Sequence, residues 1–525
     1  MITRRTLLLL SFALVGSNAF PQATPPSHTK PKLVIAIAVD QFRYDYTTKF
    51  RNEYTGGLQT LLTQGAVFTN ARYVHFPTVT AIGHSTFLSG ATPSLSGIIA
   101  NEWFDRETGK KVNSVSDPGV KLLGGNEVPE GSSPHRLLVS TLGDEMKIAD
   151  PKTKVIGVSL KDRAAILPSG HMADGAYWFD LGTGGFASST YYFPELPAWV
   201  KEYNASHPAD KYAGTTWNNK NFDAKPGAAL YKAIPASPWG NELVENFAEL
   251  ALQNEQLGTG SSTDLLTVSF SSNDYVGHQL GPDDPAVRDM AIRTDKQLAR
   301  LFAFVDKRIG LRNVVIVLTA DHGVAPKPEV NQARHMPGGR LKAVPAAAIE
   351  EVLTKKYGAP ASGKWVLSSI EYGIYLDYNV IDAKKLNRAE VAETAADLVR
   401  GLPHIFRAYT RDALLRGEIQ NDFVGKHVTN GFFAQRAPDV AFFPEPYWIE
   451  SKTGTTHGTP FGYDTHVPVI LMGPGIKTGV FNEEIKPNDI APTLATLLCV
   501  ESPSGSIGRA LTEAVTEPRA SASGN

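Results

Sequence analysis

Four mostly apolar runs recur along the chain, at 33–39, 155–160, 265–270 and 314–319. Such runs, which lack the strict alternation of a half-exposed strand, predict strands buried on both faces of a parallel sheet. Helical patterns, such as those at 286–305 and 389–399, accompany them. The sequence therefore predicts an α/β fold, a three-layer sandwich with a central, mostly parallel sheet.

A polar residue follows each of these predicted strands. Asp40 follows the first, Lys161 the second, Asp274 the third, and Asp321 with His322 the fourth. In open α/β sheets the carboxyl ends of the strands and the loops after them open into a shared crevice, where ligands bind. We therefore expect these side chains to lie near one another.

Two segments interrupt the alternation of strands and helices. Residues 177–239 are rich in aromatic residues, Gly and Pro and are interpreted as a surface cap, whereas 341–415 has helix and strand patterns of its own and is interpreted as an inserted lobe. The predicted catalytic domain, including both insertions, spans 33–515. Residues 516–525 are predicted to be a disordered tail.

The N-terminal residues have the pattern of an export signal. Arg4 and Arg5 precede an apolar run at 7–15, and Ser17 and Ala19 are small residues before a cleavage site. We interpret 1–19 as a signal peptide and the Pro-rich 20–32 as a leader; a retained anchor helix is the alternative. The predicted location is periplasmic or secreted, and the Sec and twin-arginine routes both remain open.

Composition limits the possible partners and the chemistry of any metal site. The chain has 51 Lys and Arg against 53 Asp and Glu, so bulk charge gives no reason to expect a nucleic-acid partner or stable membrane association. Cys499 is the only cysteine, which excludes an intramolecular disulfide and a thiolate cluster. Any metal ion must therefore be held by His and carboxylate side chains.

Several residues have the types and spacing of metal ligands. Asp274 and His278 are four apart, which on a helix places both on one face, although a surface Asp with a helix-capping His has the same spacing. Asp321 and His322 directly follow a buried strand, where an unpaired carboxylate is costly and a divalent cation removes that cost. Asp40 has the same setting, with a helix N-cap as its alternative role.

A late histidine could complete this set of ligands. His457 lies in a loop rich in Gly and Thr, and His466 precedes another apolar run. The spacing alone does not choose between them. Oxygen and imidazole ligands without sulfur suit two zinc ions, with manganese or another divalent ion as lesser options.

Two-metal phosphoryl chemistry also needs a nucleophile, and a side-chain hydroxyl is a candidate. Thr78 and Thr80 lie where a helix is predicted to begin, and the amide groups and dipole of a helix N-terminus favour both an ionised hydroxyl and a bound phosphate. The alternative is that either threonine is only an N-cap.

These segments together resemble the alkaline phosphatase superfamily. The resemblance is carried, in order, by Val39-Asp40, Thr80-Ala81-Ile82-Gly83-His84, Pro93 to Ile98, Asp274 with His278, Asp321-His322-Gly323 and Thr456-His457-Gly458. The similarity is greatest to the Thr-nucleophile branch, which includes nucleotide pyrophosphatases/phosphodiesterases and the PafA-type alkaline phosphatases. It extends from about residue 33 to 475.

The resemblance implies roles for individual residues. It implies that Thr80 is the nucleophile and becomes transiently phosphorylated. It also implies one zinc site at Asp274, His278 and His457, and a second at Asp40, Thr80, Asp321 and His322. It thereby selects His457 over His466. Ile82 departs from the pattern, since several relatives have proline there.

Asn101, Lys161 and Arg163 favour the monoesterase branch, because this arrangement resembles the PafA-type enzymes. A monoester presents a dianionic phosphoryl group, whose free oxygens two cations and an amide donor would bind. We therefore expect an alkaline phosphatase that hydrolyses small-molecule phosphate monoesters and releases inorganic phosphate. The oligomeric state stays open.

Other functions fit the sequence less well. A phosphodiesterase or nucleotide pyrophosphatase on the same two-metal core is the closest alternative, and Lys161 and Arg163 count against it. A sulfatase would need an oxidised Cys or Ser in a C/S-x-P-x-R motif, which the surroundings of Cys499 do not provide. A phosphoglycerate mutase would use Ser as nucleophile. A binding protein that had lost its chemistry would not need the full ligand set and the hydroxyl.

Overall fold

The computed structural model describes residues 30–126, 130–341 and 346–516. The predicted signal peptide, nearly all of the predicted leader and the predicted tail beyond residue 516 lie outside these ranges. Among the described residues, none of the helices combines the length and the apolar character needed to cross a membrane.

The strands vary from two to eight residues in length. They are β1 Leu33–Val39, β2 Ala66–Arg72, β3 Glu102–Asp105, β4 Lys110–Asn113, β5 Ser116–Leu123, β6 Glu130–Ser132, β7 Val155–Ser159, β8 Gly175–Phe179, β9 Phe186–Ser189, β10 Thr216–Trp217, β11 Lys220–Asn221, β12 Asp264–Phe270, β13 Val314–Thr319, β14 Gly339–Arg340, β15 Val366–Ile370, β16 Gly373–Leu376, β17 Ile405–Thr410, β18 Val440–Pro444, β19 Trp448–Ile449, β20 His466–Met472 and β21 Gly479–Ile485.

The helices vary from single turns to the long α11. They are α1 Tyr46–Lys49, α2 Gly57–Gln64, α3 Thr80–Ser89, α4 Pro93–Ser96, α5 Leu142–Ala149, α6 Asp162–Ile166, α7 Ala198–Ala205, α8 Ala228–Ala233, α9 Pro238–Asn254, α10 Ser272–Leu280, α11 Pro285–Ile309, α12 Pro328–Ala333, α13 Ala346–Tyr357, α14 Tyr378–Ala383, α15 Arg388–Arg400, α16 Arg411–Arg416, α17 Phe423–Gly431, α18 Gly462–Thr465 and α19 Ile490–Leu498.

The largest sheet has the strand order β21-β2-β20-β13-β1-β12-β7-β8-β9-β5-β6. Its central strands β8, β7, β12, β1 and β13 are parallel. Antiparallel pairing begins at β20 on one side and at β9 on the other. The parallel centre is the part made from the four apolar runs in the sequence, because strands buried on both faces need apolar side chains on both.

Helices cover both faces of this sheet. The odd-numbered residues of β1 pack in one apolar core with α2, α9 and α11, whereas residues 34, 36 and 38 pack in a second core with α3, α5 and α19. Successive side chains of a strand point to opposite faces, so each central strand contributes to both cores. The predicted three-layer α/β sandwich is confirmed.

A second sheet, with the order β15-β16-β18-β17, has an apolar core of its own with α13, α15 and α17. Three of its strands lie within the segment interpreted as a lobe, and β18 follows that segment. The segment interpreted as a cap supplies β9 and the hairpin of β10 with β11. The domain boundaries that were predicted from the sequence remain predictions.

The parallel strands place the predicted site residues at one edge of the sheet. Asp40 directly follows β1, and Asp321 follows β13 by two residues. Asp274 lies in the first turn of α10, after β12, and Lys161 is the N-cap of α6, after β7. The strands β7, β12, β1 and β13 are neighbours in the sheet. The four residues that follow them therefore start from adjacent points on its carboxyl edge.

Asp295 of α11 connects two of the helices that cover one face of the large sheet. The buried Asp295 carboxylate accepts hydrogen bonds from the backbone N–H groups of Thr55, Gly56, Leu58 and Gln59, at 2.8–3.2 Å. These groups lie at the start of α2, where the first N–H groups of a helix have no partner within the helix. Asp295 therefore joins α2 to α11.

We expect Asp295→Ala to lower the free energy of unfolding by about 3 kcal/mol, because four N–H groups would lose a charged acceptor inside the protein. The shift of the urea unfolding midpoint measures this. Asp306→Ala is the matched control, since Asp306 accepts from the N–H of Leu311 at an exposed position and should contribute less than about 1 kcal/mol. Equal shifts in the two variants would contradict the role of Asp295.

Candidate active site

The predicted metal ligands meet at the carboxyl edge of the central strands. Two groups of side chains each place their ligand atoms within 4.8 Å of one another. The first group is Asp274, His278 and His457, and the second is Asp40, Asp274 and His322. Asp274 belongs to both, so the two groups adjoin.

Asp274 and His278 lie one turn apart on α10. The Nε2 atom of His278 lies 3.1 Å from Oδ1 of Asp274, and Nε2 of His457 lies 3.7 Å from the same oxygen. The four-residue spacing on one helix face brings the first two together. His457 comes from a distant loop.

Asp321 and Thr80 adjoin the second group. The Nε2 atom of His322 lies 3.6 Å from Oδ1 of Asp40, 3.3 Å from Oδ2 of Asp321 and 3.5 Å from Oγ1 of Thr80. Thr80 is the first residue of α3, and all four side chains are buried. The structure thus brings together every residue that the sequence assigned to the second site.

The three histidines of the site use the same ring nitrogen as a hydrogen-bond donor. The Nδ1 atoms of His278, His322 and His457 lie 2.9, 2.9 and 2.7 Å from the carbonyl oxygens of Thr455, Gly323 and Thr78. A carbonyl oxygen only accepts, so each Nδ1 carries a hydrogen, and each Nε2, which faces the carboxylates, is the nitrogen that can bind a metal ion. Metal-binding histidines have this arrangement.

Two carboxylate oxygens in the site also fit a bound cation. Within the described residues, no hydrogen-bond donor reaches Oδ1 of Asp40 or Oδ2 of Asp321, and both atoms are buried. A buried carboxylate oxygen without a donor is costly, and a metal ion removes that cost. The donor set of carboxylates and neutral imidazoles suits a divalent ion such as zinc.

Lys161 lies between the two groups. Its Nζ atom lies 2.6 Å from Oδ2 of Asp40, 2.7 Å from Oδ2 of Asp274 and 3.4 Å from Oγ1 of Thr80. The aromatic ring of Tyr275 lies 5.2 Å from the same ammonium group. A cation is thus held beside the hydroxyl of Thr80.

Asn101 and Arg163 lie close to the start of α3. Oδ1 of Asn101 accepts a hydrogen bond from the N–H of Ala81 at 3.0 Å, which leaves the Nδ2 hydrogens of Asn101 to act as donors. Arg163, in α6, is largely buried, and within the described residues its Nε has no hydrogen-bond partner. An anion next to Thr80 would meet the Nδ2 hydrogens of Asn101, whose Oδ1 is bound to the residue after Thr80.

His466 and Thr78, which the sequence left as alternatives, make structural contacts away from the cluster. His466 stacks on Tyr44, with ring centres 4.4 Å apart, and its Nε2 lies 2.9 Å from the carbonyl oxygen of Thr69. The hydroxyl of Thr78 donates to the carbonyl of Thr459 at 2.8 Å. It is therefore His457 and Thr80, not His466 and Thr78, whose side chains reach the cluster.

The loop that carries His457 is held by Asp464. Oδ2 of Asp464 accepts from both the N–H and the hydroxyl of Thr459, at 2.8 and 2.6 Å. Burial raises the pKa of Asp464 to about 7, although these hydrogen bonds act in the opposite direction. The interaction fixes the position of His457 two residues before Thr459.

The burial of so many charges shifts the pKa values in the cluster. Burial, followed by the charge of Asp321, raises the pKa of Asp40 well above its usual value, although Lys161 opposes the shift. Burial also acts to raise the pKa of Asp274, but the charges of Lys161 and His278 hold it well below its usual value. Burial lowers the pKa of His457 well below 6.5, which favours its neutral, metal-binding form.

Gln41 is a site residue that was not predicted from the sequence. Its Nε2 donates to Oδ1 of Asp274 at 2.6 Å, and its backbone N–H donates to Oδ1 of Asp321 at 3.0 Å, so it joins the two ligand groups. Its φ of 62° lies in the left-handed region, which costs energy for a residue other than glycine and persists where surroundings enforce it. The only sign of this role in the local sequence is that Gln41 directly follows Asp40.

His84 was quoted in the sequence motif but given no role. It is fully buried on α3, one turn after Thr80. Its Nδ1 lies 2.9 Å from the carbonyl oxygen of Thr80, and its Nε2 lies 2.8 Å from the hydroxyl oxygen of Ser269 on β12. His84 therefore fixes the first turn of α3 to the sheet.

Comparison with known proteins identifies the family. The family model described as "Type I phosphodiesterase / nucleotide pyrophosphatase" matches residues 34–466, which include every predicted ligand. The chain belongs to this family. The match begins within β1 and ends at the first residue of β20.

The relatives of the chain in this family include named alkaline phosphatases. Alkaline phosphatase PhoV of Synechococcus elongatus is 36% identical over 95% of each chain. Alkaline phosphatase PafA of Elizabethkingia meningoseptica is 34% identical and covers 93% of this chain and 95% of its own. The predicted resemblance to the alkaline phosphatase superfamily, and the prediction of an enzyme, are confirmed.

The crystal structure of PafA is also similar to this fold. It superposes with a TM-score of 0.86 and 34% identity, over 94% of this chain and 100% of the PafA chain. The fold described above therefore matches that of PafA. The match includes the central sheet, its helix layers and the second sheet.

We expect Gln41→Ala to weaken the binding of divalent metal ions by roughly 10–100-fold, because Asp274 would lose the side-chain amide that fixes its orientation, while the backbone N–H that binds Asp321 would remain. Competition with a metal chelator measures the affinity. Gln256→Ala is the matched control, since Gln256 also has a positive φ, of 55°, but is exposed. Equal metal affinity in wild type and Gln41→Ala would contradict this role.

Proposed function

We propose that this member of the family is a two-zinc phosphate monoester hydrolase that acts through a covalent phosphothreonine at Thr80. The observation that carries the proposal is the position of Thr80, whose hydroxyl adjoins His322 on one side and the ammonium of Lys161 on the other. The names of the relatives support the same reaction.

The proposed ligands of the two zinc ions are the residues of the cluster. Asp274, His278 and His457 would hold one ion, and Asp40, Thr80, Asp321 and His322 the other. Bound there, the ions would lower the pKa of the attacking hydroxyl and take up charge on the leaving oxygen. A zinc site of this type needs no sulfur ligand.

In the proposed first step, the hydroxyl of Thr80 gives up its proton to solvent, and Oγ1 attacks phosphorus in line with the ester oxygen. The bond from Oγ1 to phosphorus forms, the bond from phosphorus to the leaving oxygen breaks, and the leaving oxygen takes up a proton from solvent. The N-terminus of α3, where Thr80 is the first residue, favours the negative charge near this hydroxyl. Asn101, Lys161 and Arg163 would bind the phosphoryl oxygens.

In the proposed second step, water attacks the phosphorus of phosphothreonine from the side that the leaving group has left. Oγ of Thr80 is then the leaving atom, takes back a proton, and inorganic phosphate is released. Two in-line displacements give net retention of configuration at phosphorus. The same donors would serve both steps, because the phosphoryl oxygens stay in place.

The preference for monoesters follows from charge. A monoester carries two negative charges on its phosphoryl group, whereas a diester carries one and a second organic group. Lys161 and Arg163 would stabilise the dianion more strongly. Small phosphate monoesters are therefore the proposed substrates, and the signal-like residues 1–19 support a periplasmic or secreted location.

We expect Thr80→Ala to lower kcat/KM for a chromogenic monoester by about 1,000-fold or more, because no other hydroxyl occupies its place. Metal content should largely persist, since the carboxylates and imidazoles remain. Steady-state kinetics together with elemental analysis test both statements. The control Thr78→Ala should stay within about tenfold of wild type, and near-normal turnover by Thr80→Ala would exclude the proposed nucleophile.

We expect Lys161→Ala and Arg163→Ala each to cost about 2 kcal/mol for a monoester, with less than additive loss in the double variant. The measurement compares kcat/KM for a monoester and a diester that share one leaving group. The monoester should lose far more than the diester. An equal loss, or a wild type that prefers the diester, would assign the chain to the phosphodiesterases instead.

A further inference from the structure

The tip of the β15–β16 hairpin reaches the candidate active site from the second sheet. Ile370 pairs with Gly373, so Glu371 and Tyr372 form a two-residue turn. Both have a positive φ, of 43° and 64°. Turns of this kind normally contain Asn and Gly, so two larger side chains in the left-handed region indicate that their positions are fixed by other contacts.

Tyr372 fixes the turn against the segments around Thr80. Its buried ring lies 6.2 Å from the ring of Phe76 and 5.9 Å from that of Phe442. A methyl group on Gly458 would lie 3.1 Å from the ring of Tyr372, so the loop of His457 also packs closely against it. The turn is therefore held by the chain on both sides of the site.

Glu371 contacts Asn101 from this turn. Oε2 of Glu371 accepts a hydrogen bond from the backbone N–H of Asn101 at 3.1 Å. The side chain of Asn101 in turn accepts from the N–H of Ala81, the residue after Thr80. The position of Asn101 is thus fixed by the second sheet at its backbone and by α3 at its side chain.

Burial makes the negative charge of Glu371 unfavourable unless neighbouring groups compensate it. Burial raises its pKa to about 7, while the N–H of Asn101 and the charge of Arg163 favour the ionised form. A carboxylate that repelled a bound phosphoryl group would oppose binding, so its use must lie in its contact with Asn101.

We propose that Glu371 is a positioning residue, which holds Asn101 in place to bind the phosphoryl oxygens. Glu371 itself does not bind the substrate. The inference rests on the proposed function, because it gives the second sheet a role in binding the same phosphoryl group. It predicts that damage at Glu371 acts on activity only while Asn101 is present.

The first test compares wild type with Glu371→Ala. We expect about tenfold lower kcat/KM for a monoester and about tenfold weaker inhibition by inorganic phosphate, because a small displacement of Asn101 weakens binding to the phosphoryl oxygens. Glu371→Gln keeps an oxygen acceptor and should recover most of the loss. Glu102→Gln removes the same charge nearby, from the ion pair with Lys111, and should stay within twofold.

The second test is a double-variant cycle, which distinguishes positioning from general damage to the lobe. In the Asn101→Ala background, Glu371→Ala should cost no more than about threefold. A full tenfold loss in this background would overturn the proposal. So would an unchanged kcat/KM and phosphate inhibition in Glu371→Ala alone.

The same measurements separate this inference from the proposed function. If wild type hydrolyses the monoester and Asn101→Ala impairs both turnover and phosphate inhibition, an unaffected Glu371→Ala overturns the positioning role alone. If wild type neither hydrolyses the monoester nor binds inorganic phosphate, the proposed function fails and the positioning role fails with it.

Discussion

The concentration of buried negative charge is the constraint on which the rest of the site depends. Asp40, Asp274 and Asp321 lie within a few ångströms of one another at the carboxyl edge of the sheet. Three carboxylates in an apolar interior are unstable unless cations and hydrogen-bond donors compensate them. The ammonium of Lys161, the amide of Gln41 and the histidines supply part of this compensation, and the unpartnered oxygens fit metal ions.

The same constraint gives the four-stranded second sheet a role beside the large one. The large sheet provides rigid strand ends, which fix where the carboxylates begin. It cannot by itself surround a small anion on all sides, because its open edge faces outward. The second sheet and the loop of His457 close around the start of α3 through Tyr372 and Glu371, so residues far apart in the chain frame one hydroxyl group.

Much of this could be predicted from the sequence, because the signals were local. The apolar runs predicted the central strands, and the spacing of Asp274 and His278 predicted their shared helix face. The choice between His457 and His466 had no local signal and came only from the resemblance. It depends on tertiary packing, since His466 stacks on Tyr44 while His457 is held by Asp464 through its loop. Gln41 and Glu371 were missed because their partners lie more than 230 residues away in the chain.

The wide separation of the ligands along the chain sets an order of events during protein synthesis. The group of Asp40, Asp274 and His322 cannot be complete before residue 322 has been made, and the group that includes His457 needs a further 135 residues, the difference between 457 and 322. A growing chain therefore carries exposed or poorly paired carboxylates for most of its elongation. Metal binding at the proposed sites would therefore be a late event, coupled to placement of the loop that brings His457 next to Asp274 of α10, rather than a nucleus around which the early part of the chain folds.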